Sequence, residues 1–166
     1  MEHFIQEVVG TVPDAAQIAR LTLRLIGALL VGALIGLQRE SQRKAAGLRT
    51  HMLVSLGTAL FIVAVSEAQM HEDAISRVIQ GVSTGIGFLG AGAILKLTQE
   101  QKIRGLTTAA GIWMTAAAGV AAGLGELVVA FIGAGLAWVV LGVLWRIERR
   151  AGWAGHHHRD DEDSIE

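Results

Sequence analysis

The sequence predicts an all-α, polytopic membrane protein: a compact bundle of about five transmembrane helices. Three observations lead there. The 166-residue chain is 52% hydrophobic and only 17% charged, where a soluble domain of this length carries roughly a quarter charged residues. Its few charges gather in short clusters that divide the chain into near-continuous apolar runs. Those runs are about 17–21 residues long, close to the roughly 20 that a helix rising 1.5 Å per residue needs to cross about 30 Å of hydrocarbon.

In chain order, residues 1–20 read as a short external N-terminal segment. The first basic residue, Arg20, follows Glu2, Glu7 and Asp14, so the positive start of a secretory signal is missing. Phe4, Ile5, Val8 and Val9 suit the membrane surface, and Pro13 and Asp14 suit the first turn of a helix. Residues 21–150 form the transmembrane domain, with apolar spans Leu21–Leu37, Met52–Ala68, Ile75–Leu95, Leu106–Leu124 and Leu127–Leu144. These spans lack the amphipathic stripe of a soluble helix. No period-two alternation persists in them, and Gly and Ala are poor strand formers. Trp113 and Trp138 are expected to pack within the bundle. Residues 151–166 form a charged tail, where His156, His157 and His158 precede a run of mostly acidic residues; such a run reads as a solvated end rather than a metal site.

The loops orient the bundle. Basic residues crowd the first loop (Arg39, Arg43, Lys44, Arg49), the third (Lys96, Lys102, Arg104) and the end of the last span (Arg146, Arg149, Arg150). The second loop is acidic (Glu67, Glu72, Asp73), and the fourth offers Glu126 alone. Basic loops stay in the cytoplasm, which places the N-terminus outside and the C-terminus inside. Helices in lipid associate through close packing, and glycine pairs four apart supply the means: Gly32 and Gly36, Gly81 and Gly85, Gly119 and Gly123. Thr108, Gly111, Thr115, Gly119 and Ala122 share one small, weakly polar face, fit to meet another helix backbone.

Several chemistries are disfavoured. With no cysteine in the chain, thiol nucleophiles and thiolate metal sites are absent, and a net charge of −1 suggests no nucleic-acid partner. No Ser/His/Asp set or metal-ligand spacing stands out, so neither an enzyme nor a cofactor or metal site is expected. The run Gly85-Ile86-Gly87-Phe88-Leu89-Gly90 matches a dinucleotide fingerprint, but it lies inside an apolar span rather than between a strand and a helix. Two readings of Gly85, Gly87, Gly90 and Gly92 remain: helix packing, or a broken helix whose freed backbone faces a cavity. Arg24 and Arg77 fall near the outer surface. They either reach outward to headgroups or pair with Glu126 across the bundle. No acidic residue sits at mid-span, which weighs against a divalent-cation pathway, since carboxylates are the strongest oxygen ligands. His51, at the start of the second span, reads as an interfacial residue.

Three blocks carry a family resemblance: GALIGLQRESQRKAAGLRT (Gly32–Thr50) running into HMLVSLGTALF, then GIGFLGAGAIL (Gly85–Leu95), then RGLTTAAGIWMTAAAG (Arg104–Gly119). In this order and spacing the chain resembles the MgtC/SapB family of bacterial inner-membrane proteins, in the short form without a C-terminal soluble domain. The resemblance implies a five-helix hydrophobic domain with its basic loops in the cytoplasm. It also marks a departure, since Gln38 stands where the family usually has Glu, and Glu40 is the nearest substitute. The family name is tied to magnesium, and the resemblance implies a regulatory or accessory role in magnesium homeostasis or membrane energetics.

Two functions are carried forward. One is a regulator that binds another membrane complex through glycine-rich helix faces, with the cytoplasmic loops Arg39–Arg49 (which includes Glu40) and Lys96–Arg104 as contact or sensing surfaces and Thr107 and Thr108 as further candidate residues. The other is a small oligomeric transporter or channel for a cation such as magnesium, with Gly85–Gly92 as its site and Arg24, Arg77 and Glu126 at its outer mouth. Expected partners are the lipid bilayer, a membrane protein complex and a second copy of the chain.

Overall fold

A computed structural model describes residues 14–68, 72–97, 102–144 and 146–147. The surface-lying segment with Phe4–Val9, Pro13 and the histidine-rich tail fall outside the described residues. Five helices follow in order: α1 (Ala15–Ser41), α2 (Leu48–Glu67), α3 (Glu72–Gly92), α4 (Leu106–Leu124) and α5 (Leu127–Val139), the last continuing into a π-helical turn, Val140–Leu144. Between α3 and α4, β1 (Leu95–Leu97) and β2 (Lys102–Arg104) pair antiparallel, Lys96 opposite Ile103.

Local chemistry explains the boundaries. Asp14 caps α1, its Oδ1 accepting from the Gln17 N–H at 2.5 Å, a standard way to satisfy a free donor at a helix start. The helix outruns its apolar span at both ends, because Gln17, Arg20 and the Gln38–Ser41 stretch stay helical. Arg39 in the last turn of α1 complements the negative end of the helix dipole. Two glycines delimit α4, Gly105 at φ 97° and Gly125 at φ 92°, in the left-handed region where a Cβ is penalised. α3 stops at Gly92, short of the expected Leu95. Gly87, Gly90 and Gly92 weaken the helix, and the ribbon takes up the backbone bonds of Leu95–Leu97 instead. Strand pairing in the third loop is thus a small exception to an otherwise helical fold.

The packing follows the glycines closely. A Cβ on Gly32 would lie 2.7 Å from the His51 carbonyl oxygen, and one on Gly36 would lie 2.8 Å from the Leu48 Cα, so α1 lies directly on the backbone of α2. On the other side of α2, Gly119 and Gly123 of α4 meet the Ser55 and Ala59 backbone in the same way. α5 closes the core against α1 and α4, burying Ala130 and Ala134 beside Ala28, Val31, Ile35, Ala59, Ala118 and Ala122. The expected face Thr108, Gly111, Thr115, Gly119 and Ala122 is buried throughout.

α3 is the outlying helix, resting on α4 and α2 mainly through Ile86, which joins Ala46, Ile112 and Ala116. It runs unbroken through Gly85–Gly92, so its fingerprint-like glycines interrupt no backbone bonding. The small, partly polar interior is surrounded by large apolar side chains such as Leu30, Leu53, Phe61, Phe88 and Ile132, all about half exposed or more. That inversion of the soluble pattern suits a lipid surrounding. Trp113 and Trp138 belong to this outer shell, at 53% and 37% exposed, rather than to the interior; the core is built on close glycine contacts that leave little room for an indole. By length and composition α1, α2 and α4 are able to cross a membrane, and Leu127–Val143 is a shorter apolar helix.

Candidate functional site: a buried polar seam ending at a cationic pole

On α2, His51, Ser55 and Thr58 recur at spacings of four and three, so they share one helix face. All three are buried. Facing them, α4 presents Thr108 and Thr115, seven residues apart on one stripe and both buried. His51 Nδ1 and Thr115 Oγ1 lie 2.7 Å apart, while the Thr115 hydroxyl donates to the Gly111 carbonyl at 2.8 Å. A hydroxyl has one proton. With that proton committed to Gly111, the imidazole donates from Nδ1. Among the described residues, neither His51 Nε2 nor Ser55 Oγ has a hydrogen-bond partner. Thr58 instead returns its proton to the Val54 carbonyl within its own helix.

At the α1 end of the seam sits Arg39, 2% exposed. Its Nη2 donates to Thr108 Oγ1 at 3.1 Å and its Nη1 to Gln42 Oε1 at 3.3 Å, while Nε is unpartnered. A buried charge ordinarily requires an opposite charge. Here the hydrogen-bond acceptors recorded for the guanidinium are neutral. Gln42 passes the connection on, its Nε2 donating to the Leu141 carbonyl at 3.1 Å. One turn earlier, Gln38 Nε2 donates to the Trp138 carbonyl at 2.8 Å. The Gln42 acceptor, Leu141, lies within the π-turn Val140–Leu144, and the Gln38 acceptor, Trp138, lies just before it at the end of α5. Gly142 makes room for the brace, since a Cβ there would overlap the Gln38 amide. At Gln38, then, this chain uses an amide as a donor to α5.

The other sequence candidates divide by location. Glu40 is exposed, and its Oε2 accepts from the Leu48 N–H at 2.8 Å, capping α2 from the preceding helix. Arg49, Arg104 and Thr107 are exposed at this same pole. At the opposite pole Arg24 is half-buried. Its Nη1 reaches the Gly123 carbonyl at 3.4 Å and its guanidinium lies against Gly125, so it binds the C-terminal end of α4 through backbone. Glu126 and Arg77 are both exposed there. Gln17 donates to Glu67 across α1 and α2. Of the α3 glycines, Gly90 touches Ala109 Cβ, while Gly81, Gly85, Gly87 and Gly92 have open space where a Cβ would go. Among the described residues, no three His, Asp or Glu side chains gather as a metal site.

His51 is the residue the sequence reading underrated. Its place at the edge of an apolar run resembles an interfacial position, yet the spacing His51–Ser55–Thr58 marks one buried face. The meeting of Arg39 with Thr108, 69 positions apart, had no such local signal.

A helical bundle with an apolar exterior, a glycine-packed interior and a polar seam ending in a buried cation is an integral membrane protein. The chain belongs to the MgtC family, whose model matches residues 25–150. It is 42% identical to SrpB of Synechococcus elongatus over 142 residues, covering 79% of this chain and 78% of that protein. With YhiD of Escherichia coli K12, provisionally named a magnesium transporter, it shares 39% identity over 147 residues, 84% of this chain and 67% of that one. MgtC of Salmonella typhimurium is 44% identical over 104 residues, 63% of this chain and 43% of the relative, so the match spans less than half of that protein. No solved structure matches the chain.

Proposed function

We propose that the chain is a regulatory or accessory factor of a bacterial inner (cytoplasmic) membrane, acting in magnesium homeostasis or membrane energetics by contact with another membrane complex. The observation that carries this reading is Arg39. Among the described residues it is the one charged side chain buried in the bundle. A divalent cation entering the α1–α2–α4 interior would approach a guanidinium in a low-dielectric setting, where like charges repel strongly. The carboxylates that would attract it, Glu40, Glu67, Asp73 and Glu126, are exposed at the two ends.

The contact surface in this reading is α3. The glycine pairs of α1 and α4 are occupied by internal packing. Gly81 and Gly85 instead border an open groove of 460 Å³ with Thr58, Phe61 and Ile86. Paired glycines admit the backbone of a second helix, so the occupant we assign is a transmembrane helix of the partner. The second reading, a small oligomeric cation transporter, draws on the name given to YhiD.

Purified protein in liposomes separates the two. The regulator reading expects magnesium, potassium and proton fluxes equal to those of empty vesicles. It also expects one defined membrane complex to co-purify with the chain and to be lost in Gly85→Leu. Flux above background that Gly87→Leu or Gly90→Leu abolishes overturns it. For orientation, the positive-inside arrangement supports an external N-terminus and a cytoplasmic C-terminus. Ala68→Cys and Glu126→Cys should then label from outside intact cells, and Ala45→Cys should not. The opposite pattern reverses the topology.

A further inference from the structure

The outer face of α3 is poorly matched to lipid. At 21 residues the helix is long enough to cross a membrane, yet the described helices both long and apolar enough to do so are α1, α2 and α4. Much of the deficit lies on one stripe. Asp73, Arg77, Gln80, Thr84, Gly87 and Ala91 recur at alternating spacings of four and three, and all six are exposed. That alternation is the seam of a coiled coil, here without a single large apolar side chain. At 3.6 residues per turn the seam lies on the side of α3 away from Ile79, Val82 and Ile86, which pack towards α4.

Gln80 is the sharpest case. It sits about 12 Å from the start of a helix roughly 30 Å long, near mid-span, where a polar group without a partner is costly. An amide offers two donors and an acceptor. Among the described residues its side-chain bond is Nε2 to Ser76 Oγ, at 3.5 Å and on the same helix. The Thr84 hydroxyl also turns inward, donating to the Gln80 backbone carbonyl at 2.9 Å. Neither bond serves the Gln80 Oε1 acceptor.

The stripe is complementary to itself. Copies of one chain insert in the same direction, so two of them pair about an axis along the membrane normal and each depth meets itself. Gln80 then faces its counterpart, and each carboxamide supplies the donor and the acceptor that the other needs. Asp73 and Arg77, one turn apart and opposite in sign, pair crosswise with their counterparts. Gly87, with open space where a Cβ would go, and Ala91 let the two backbones close at the ribbon end. Phe88, 82% exposed, flanks that end and is partly covered by the pairing.

We propose that α3 carries a self-association surface, along which two copies of the chain pair in parallel through the stripe Asp73–Ala91, with their Gln80 carboxamides bonded to each other near mid-span. The groove bordered by Gly81 and Gly85 lies on the flank of α3 towards Phe61 of α2. Pairing leaves that groove open to the partner helix of the regulatory reading, and neither inference rests on the other.

The chain has no cysteine, so single replacements report on this surface by disulfide crosslinking in native membranes. Gln80→Cys, Thr84→Cys and Gly87→Cys should give covalent dimers on mild oxidation. Ile79→Cys and Val82→Cys on the same helix should not, nor should Ile132→Cys, 58% exposed on α5. In non-ionic detergent, sedimentation of the parent chain should show a monomer–dimer equilibrium. Gln80→Leu should weaken it about tenfold, by loss of the interhelical hydrogen bonds, and keep the parent's helical circular dichroism. Because Gln80 is exposed, this variant reads pairing rather than folding. A parent chain that stays monomeric, or undiminished pairing in Gln80→Leu, overturns the proposal. So do crosslinks at Ile79→Cys or Ile132→Cys equal to those at Gln80→Cys, or Gln80→Cys adducts with a different membrane protein in place of the dimer.

Discussion

Gly119→Val is expected to abolish the folded bundle. A Cβ at this position would stand 2.5 Å from the Ser55 carbonyl oxygen and 3.0 Å from the Ser55 Cα. Both are backbone atoms of α2, so no rotamer change relieves the overlap and the two helices must separate. Separation would also open the neighbouring contact of Gly123 with Ala59 and stretch the His51–Thr115 bond. Overpacking a core typically costs about 1–3 kcal/mol. A clash that displaces a whole helix belongs at or above the top of that range, and folded proteins hold only about 5–15 kcal/mol in reserve. Loss of the monodisperse peak in detergent size-exclusion, with no cooperative thermal transition, is the expected observation. Gly81→Val makes the paired control. Nothing lies within 4 Å of its added Cβ, so the variant should elute and melt like the parent chain. If both variants behave alike, the assignment of which glycine pair is internal fails.

Gly105→Ala should destabilise the protein by about 2–4 kcal/mol, combining the left-handed backbone penalty with overpacking. The sign is informative. Replacing Gly by Ala at an unstrained position stabilises a protein by about 0.4–1 kcal/mol through the unfolded state. Here φ is 97°, and the new methyl group would overlap the Ala93 carbonyl oxygen at the end of α3. The chain must bend elsewhere, carrying Thr108 away from Arg39. Thermal melts should shift down, and amide exchange should rise first in β2 and the opening turn of α4. A stabilised Gly105→Ala variant would show that α4 begins with a different backbone geometry.

Much of the bundle was legible because the signals are local. Gly32–Gly36 and Gly119–Gly123 announce close helix faces by spacing alone, and both are used as such. The face Thr108–Gly111–Thr115–Gly119 was readable for the same reason. Gly81–Gly85 carries an identical signal and yet meets nothing among the described residues within 4 Å of an added Cβ, because spacing describes a face without saying what meets it. The ribbon Leu95–Leu97 with Lys102–Arg104 went unread, since three residues of alternation beside an apolar span extend the span as readily as they pair. At Gln38 the sequence shows an amide and no hint of its partner. Its amide bond to Trp138 emerges only once α5 is placed alongside α1.

The sequence by itself determined that this is a membrane protein built of apolar helices, because span length and charge scarcity are set by the thickness of the bilayer and the cost of burying charge. It also determined where the basic residues cluster, since they flank the spans. Tertiary structure alone decided that Arg39 turns inward to Thr108 while Arg43 and Arg49 stay outside. It decided too that His51 closes on Thr115 rather than lying at an interface. The physical reason is common to both: a polar side chain in lipid takes the partner that a distant helix brings within about 3 Å, and that distance is fixed by how closely glycine lets the backbones approach.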